Sequence, residues 1–82
     1  METRKAKQKS GEIVKLPVLT ESEYVEATES SEGFCIYCGE TESGIEPDAR
    51  EYRCEGCGKH GVFGFEELLL MGYVVFREES ED

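Results

Sequence analysis

Two cysteine pairs, Cys35-Ile-Tyr-Cys38 and Cys54-Glu-Gly-Cys57, lie fifteen residues apart and restrict what this chain can fold into more than any other feature. A tight C-x-x-C turn places both of its side chains on one side, and two such turns facing each other offer four sulfurs to one ion. The separation fits the zinc pattern of two C-x-x-C pairs about 15–20 residues apart. A glycine follows each pair, Gly39 and Gly58. Glycine there permits the left-handed backbone that turns main-chain N–H groups toward the sulfurs, which spreads the negative charge of the site. Four thiolates at about 2.3 Å in a tetrahedron leave no position open for water. The expectation is therefore one structural Zn2+ held by Cys35, Cys38, Cys54 and Cys57.

A chain this short needs such a staple. It has 82 residues, of which 38% are hydrophobic, with four Phe, four Tyr and no Trp. A core built from these is marginal, and domains of this size lean on disulfides, a metal or a partner. Two disulfides are the alternative use of the same cysteines. Residues 1–10 are charged and polar and no apolar stretch follows, so no secretory signal is read. A reducing, cytoplasmic setting is expected, where thiols favour metal. The apolar runs 68–71 and 73–76 are too short to span a bilayer, so no membrane association is expected. Rubredoxin-like iron would take the same four ligands, but the Pro and aromatic neighbours usual at such sites are missing. No βαβ pattern surrounds either pair, as a redox dithiol would require. His60, three residues after Cys57, is expected to be exposed rather than a fifth candidate ligand. Tyr37 and Glu55 sit inside the turns and are expected to project outward near the metal.

Residues 1–10, with Arg4, Lys5, Lys7 and Lys9, read as a flexible basic tail whose removal leaves stability unchanged. Residues 11–32 read as an extended arm or strand followed by an acidic linker. Pro17 confines the strand at 12–19 to an edge, because it cannot donate to a ladder. Thr20 with Glu23 is a capping-box signature for a helix over 21–28, but the stretch holds so few apolar residues that a linker is preferred. The folded domain is expected over 33–76. Phe34 leads into the first pair, and a loop with Gly44, Pro47 and Asp48 follows. A strand is read at 62–63, a helix over 65–71 and a strand at 73–76. Glu66 and Glu67 suit the first turn of that helix and Gly72 its end. Residues 77–82 read as an acidic tail. The fold class is a small metal-stabilised α+β domain.

Cys35-x-x-Cys38-Gly39 and Cys54-x-x-Cys57-Gly58 resemble the zinc-ribbon superfamily. The resemblance implies antiparallel β-structure, three short strands carrying two rubredoxin-type knuckles over residues 33–65, extended here by a short helix and one or two strands. It implies a metal and a fold but no single function, since zinc ribbons serve in transcription factors, polymerase subunits, ribosomal proteins and protein-binding adaptors. A narrower resemblance covers residues 35–72. Ile45-Glu46-Pro47-Asp48-Ala49, Tyr52, the second knuckle, Val62-Phe63-Gly64 and Glu66-Glu67-Leu68-Leu69 look like small uncharacterised zinc-ribbon proteins of tailed phages. That likeness implies a phage-type source, with the host cytoplasm as the compartment, and no mechanism.

Charge narrows the function. Nine basic residues against nineteen acidic ones give a net charge of −10, yet residues 1–16 carry +3 and residues 17–34 carry −5. Four thiolates around a divalent cation add a further −2. Such a balance repels phosphate backbones at long range and argues against nucleic acid as the partner. Arg50, Arg53, Lys59 and the basic N-terminal segment keep a nucleic-acid-binding ribbon of the transcription-factor type as the alternative. The main expectation is a protein-binding module, an adaptor or inhibitor of a basic or nucleic-acid-handling host protein, monomeric or weakly homodimeric. Leu68, Leu69, Leu70 and Met71 occupy consecutive helix positions and cannot all face one core. Either Ile13, Val14, Leu16 and Val18 wrap over them, or the remainder is a docking or self-association patch. Catalysis is not expected. The single histidine has no visible partner, the cysteines are committed to metal, and there is no Gly-rich phosphate loop.

Overall fold

Val14, Leu16 and Val18 alternate with Lys15 and Pro17, the two-residue period of a strand. In the computed structural model, which describes residues 2–78, they lie on β2 (Ile13–Leu19). The chain before them returns antiparallel as β1 (Glu2–Lys7), in a register running from Glu2 opposite Val18 to Lys7 opposite Ile13. The hairpin is closed by the Gln8 N–H on the Glu12 carbonyl at 2.8 Å and the Gly11 N–H on the Gln8 carbonyl at 2.9 Å. The flexible tail read over residues 1–10 is thereby corrected. Only Ala6 of β1 packs against the core, so its strand character comes from pairing with β2 and leaves little trace in its own pattern.

The edge position read from Pro17 is corrected too. β2 is the central strand of a three-stranded sheet, β1-β2-β6, in which β6 (Val75–Phe76) runs parallel to it. The Lys15 N–H points away from β1 and donates to the Ile36 carbonyl at 2.7 Å. By the two-residue period, the nitrogen of Pro17 faces the same way. β6 begins only opposite Val18, so no ladder donor is missing at the proline.

Residues read as a linker form the helix α1 (Glu21–Glu29). Its capping box is complete. The Glu23 N–H donates to Thr20 Oγ1 at 3.2 Å, and the Thr20 N–H donates to Glu23 Oε1 at 2.8 Å. That backbone N–H, helped by the Arg77 guanidinium at 3.0 Å, holds the Glu23 carboxyl below its usual range. Two signals at the start of the segment outweigh its sparse apolar content, because Ala27 alone is fully buried and Tyr24 packs its ring edge-on to Phe76 at 5.7 Å. The boundary drawn at residue 33 therefore does not hold as a break in packing. Val14, Leu19 and Ala27 share one buried cluster with Phe34, Ile36, Phe63, Phe65 and Leu68.

The second sheet is antiparallel, in the order β4-β3-β5, built from β3 (Glu32–Cys35), β4 (Thr41–Ser43) and β5 (Val62–Gly64). The helix α2 (Phe65–Leu70) follows β5 without a break, one residue shorter than its expected span. Of the strand read at 73–76, only Val75 and Phe76 pair, while Tyr73 and Val74 pack against the core. The acidic tail read over 77–82 lies beyond the described residues from residue 79 onward.

One loop ties the sheet to α2. Gly33 and Gly64 sit opposite each other on β3 and β5, and residues 45–47 cross over this pair. A Cβ on Gly33 would collide with the Ile45 side chain, and one on Gly64 with the Glu46 and Pro47 carbonyls. The loop is fastened by Gly64 N–H to the Ala49 carbonyl and Glu67 N–H to the Pro47 carbonyl, both 3.0 Å. Arg50 Nε closes it with a 2.6 Å ion pair to the buried carboxylate of Glu67.

β1 adds a full antiparallel ladder to β2, the strand that carries the core residues Val14 and Leu19. Removing residues 1–10 should lower the melting temperature by about 10 °C, the equivalent of one to two kcal/mol in a domain of this length. An unchanged thermal melt would show that β1 adds nothing to stability.

Candidate metal centre

The two turns that carry the cysteines repeat one hydrogen-bond pattern. In the first, the Gly39 N–H donates to the Cys35 carbonyl at 2.9 Å and the Cys35 N–H to the Glu40 carbonyl at 2.9 Å. In the second, the Gly58 N–H donates to Cys54 and the Cys54 N–H to Lys59, each at 2.8 Å. Both closures require a left-handed residue after the second cysteine. Gly39 and Gly58 supply it, with φ of 80° and 77°, a conformation that glycine adopts without a steric penalty.

β3 delivers Cys35 from the centre of its sheet, and Tyr52, bridged to Val62 of β5, leads the chain into Cys54. The result is convergence of all four sulfurs, which lie within 4.8 Å of one another. The Cys35–Cys57 and Cys38–Cys54 separations are 3.7 and 3.5 Å. A disulfide would hold its sulfurs at about 2.05 Å, and the four cysteines are free thiols. A tetrahedron with metal–sulfur distances of about 2.3 Å has edges of about 3.8 Å, close to both separations. The donor set thus fits a single tetrahedral ion with no vacant coordination position. Cys35 and Cys54 are buried, Cys38 is half-buried and Cys57 is exposed, so the ion would sit at the surface end of the smaller cluster of Cys35, Ile45, Ala49, Cys54 and Val62.

Electrostatics show what the cluster lacks without a cation. Burial pushes the Cys38 thiol up to about 12 and moves Cys35 in the same direction. Main-chain N–H groups oppose this: Tyr37 and Cys38 donate toward the Cys35 sulfur, and Glu40 toward that of Cys38. At the exposed Cys57 the Lys59 N–H prevails and holds the thiol below its ordinary value. Three of the four sulfurs therefore receive main-chain donors as the glycine positions implied. Donors alone do not make four thiolates within a few ångströms of one another compatible, whereas a divalent cation does.

Other residues fall where the sequence placed them or depart from it. His60 is exposed, with Nδ1 3.3 Å from the Glu51 carbonyl, and stands outside the sulfur cluster. Glu55 is exposed and its N–H donates to Glu42 Oε1 at 2.9 Å. Tyr37 does not project outward. It is half-buried, packs against both hydrophobic clusters, and has Lys59 Nζ 5.1 Å from its ring centroid. Lys15, on the distant strand β2, was not singled out from the sequence, yet its Nζ reaches the Cys38 carbonyl at 3.2 Å. Nothing in the pattern of residues 12–19 signals that approach.

Among the described residues no helix is long and apolar enough to cross a membrane. No protein-family model, no curated protein and no solved structure matches this chain.

Loading a metal must displace protons from these thiols. Apparent affinity should therefore fall by at least about tenfold for each pH unit of acidification between about pH 8 and about pH 6. Chelator competition across that range checks it, and a pH-independent affinity would exclude thiol ligands.

Proposed function

We propose that this chain is a zinc-ribbon protein in which Cys35, Cys38, Cys54 and Cys57 hold one structural zinc ion, and that its role is to bind another protein rather than to catalyse a reaction. The observation that carries the metal reading is the convergence of four sulfurs at nearly tetrahedral separations. Zinc suits such a set because it accepts four thiolates without redox chemistry and without a preference for another geometry. Its apparent binding energy in small finger peptides, about 10–16 kcal/mol, is larger than the whole stability of most small domains. A closed four-sulfur set has no coordination position for a nucleophilic water, which supports a structural role.

The protein-binding reading is supported by the surface. The net charge of −10 favours a basic partner. Leu69, Leu70 and Met71 remain 40, 77 and 37% exposed at the end of α2, while Leu68 alone of that run is buried. Of the residues read as a cover, Val14 shares the buried cluster of Leu68 and Leu16 packs against it, while Leu69, Leu70 and Met71 stay exposed and Ile13 is itself 54% exposed. An apolar strip on an acidic domain suits an adaptor or inhibitor that docks on a basic protein. A basic protein that handles nucleic acid is the partner such an acidic surface suits, met in the host cytoplasm if the chain is phage-encoded. A nucleic-acid-binding ribbon is the second reading. It is favoured by the order imposed on Arg4, Lys5, Lys7 and Lys15 by the hairpin, and it requires salt-dependent affinity for an oligonucleotide.

Native mass spectrometry of the reduced protein should give one zinc per chain, lost with chelator together with the compact charge-state distribution. The same spectrum reports whether the chain is a monomer or a weak homodimer. A compact, metal-free chain lighter by about four protons, the signature of two disulfides, would overturn the metal reading. Cys54→Ser should abolish cooperative unfolding, and a variant that still melts cooperatively without metal would do the same.

A further inference from the structure

The β1–β2 hairpin carries a charge arrangement that its own sheet does not explain. Lys5 and Lys15 are directly opposite each other. Because the Lys15 N–H is directed at Ile36, they form a non-hydrogen-bonded pair, the kind in which side chains approach most closely. Like charges at such positions destabilise a ladder. Among the described residues, neither lysine forms an ion pair with a carboxylate.

The hairpin face that bears them lies on the first cysteine turn. Lys15 Nζ donates to the carbonyl of Cys38 at 3.2 Å, and the Lys15 N–H holds the Ile36 carbonyl within the same C-x-x-C segment at 2.7 Å. The stem of Lys15 and the methyl of Thr3 rest on Gly39, where a Cβ would lie 3.0 Å from Lys15 Cδ and 3.6 Å from Thr3 Cγ2. Both strands of the hairpin are thus seated on the turn. Four thiolates with a divalent cation carry −2, shared by the same turn whose Cys38 carbonyl Lys15 Nζ reaches.

We propose that Lys15 is a charge-balancing and positioning residue of the metal centre, through which the N-terminal hairpin docks on the first cysteine turn. Metal binding and hairpin docking then strengthen each other, because a coupling between two equilibria acts equally in both directions. The inference rests on the four-sulfur metal reading above and gives β1 and β2 a role toward the centre that reaches beyond the ribbon itself. It also places the cation on a segment far from the cysteines in sequence, fixed by a backbone contact, a side-chain contact and a glycine that leaves room for the stem.

Cobalt(II) serves as the probe, measured by competition with a chelator on the full chain. The parent protein should take one cobalt with the charge-transfer bands of four thiolates. Lys15→Met should weaken cobalt binding about tenfold, the lower end of what losing an outer partner costs a metal site. The bands should keep their positions, since the ligands are untouched. Lys15→Arg should restore affinity to within about twofold, because it returns the charge, and the loss in Lys15→Met should shrink as salt is raised. Lys7→Met, which removes a lysine away from the turn, should stay within about twofold of the parent. If Lys15→Met fails to fold, Lys15→Gln keeps a donor for the Cys38 carbonyl and removes only the charge. Affinity within about twofold of the parent in the neutral variants, or an equal loss in Lys15→Arg, would overturn the proposal. A parent protein that takes no cobalt with a four-thiolate spectrum would instead overturn the metal reading itself, and the role of Lys15 with it.

Discussion

Four sulfurs held within 4.8 Å of one another are an arrangement that thiols do not adopt for their own sake. Two of them are raised by burial, and as thiolates they would repel. Their convergence makes sense as a cross-link through a cation, and it joins two turns that are far apart in the chain. The sulfur cluster stands at one end of a hydrophobic cluster of five residues, two of which are the cysteines themselves. A cluster this small cannot position its own loops by burial, so the ligand set and the packing depend on each other.

The rest of the molecule is arranged to hold the second sheet in place. Its β3–β5 centre carries two facing glycines, and the loop over residues 45–50 lies in the space they leave. Backbone bonds to Gly64 and Glu67, together with the Arg50–Glu67 ion pair, fasten that loop to α2. Glu67 is buried, so loss of Arg50 would leave its carboxylate without a charged partner, a more costly state than the pair is stabilising. The larger cluster, with Phe34 and Phe65 tilted against each other at 6.2 Å, joins this unit to β2 and α1. Cysteine cluster, loop and core are therefore packed against one another, with Tyr37 touching both hydrophobic clusters.

Charge is distributed against this frame. The acidic residues dominate the chain, while the basic residues of the first sixteen positions are gathered on a hairpin whose face meets the first cysteine turn. An excess of one sign on a small domain costs compactness through self-repulsion. Of the basic residues, Lys15 is placed on the first cysteine turn, where four thiolates would concentrate negative charge. Elsewhere, Leu69, Leu70 and Met71 are exposed at the end of α2.

How far the sequence reaches can be read from particular residues. The cysteine spacing and the glycines after each pair determined the site, because a C-x-x-C-G turn is a local structure whose hydrogen bonds close within six residues. The helix at 65–70 was legible for the same reason, with acidic residues at its start and a glycine past its end. β1 was not legible: Glu2–Lys7 has one apolar residue on its covered side, and only the partner strand makes it a strand. α1 carried its start signal in Thr20 and Glu23, but its sparse apolar content hid how much Arg77 and Phe76 would add from afar, to Glu23 and Tyr24. Pro17 argued for an edge, and only the late start of β6 made the centre of a sheet acceptable. The contact of Lys15 with the Cys38 carbonyl joins residues twenty-three positions apart and has no local pattern at all. Local backbone chemistry, in short range along the chain, was determined by sequence alone. Which segments meet, and hence which charges stand beside the sulfurs, was decided by tertiary packing, because those contacts depend on burial shared between segments that carry no mark of one another.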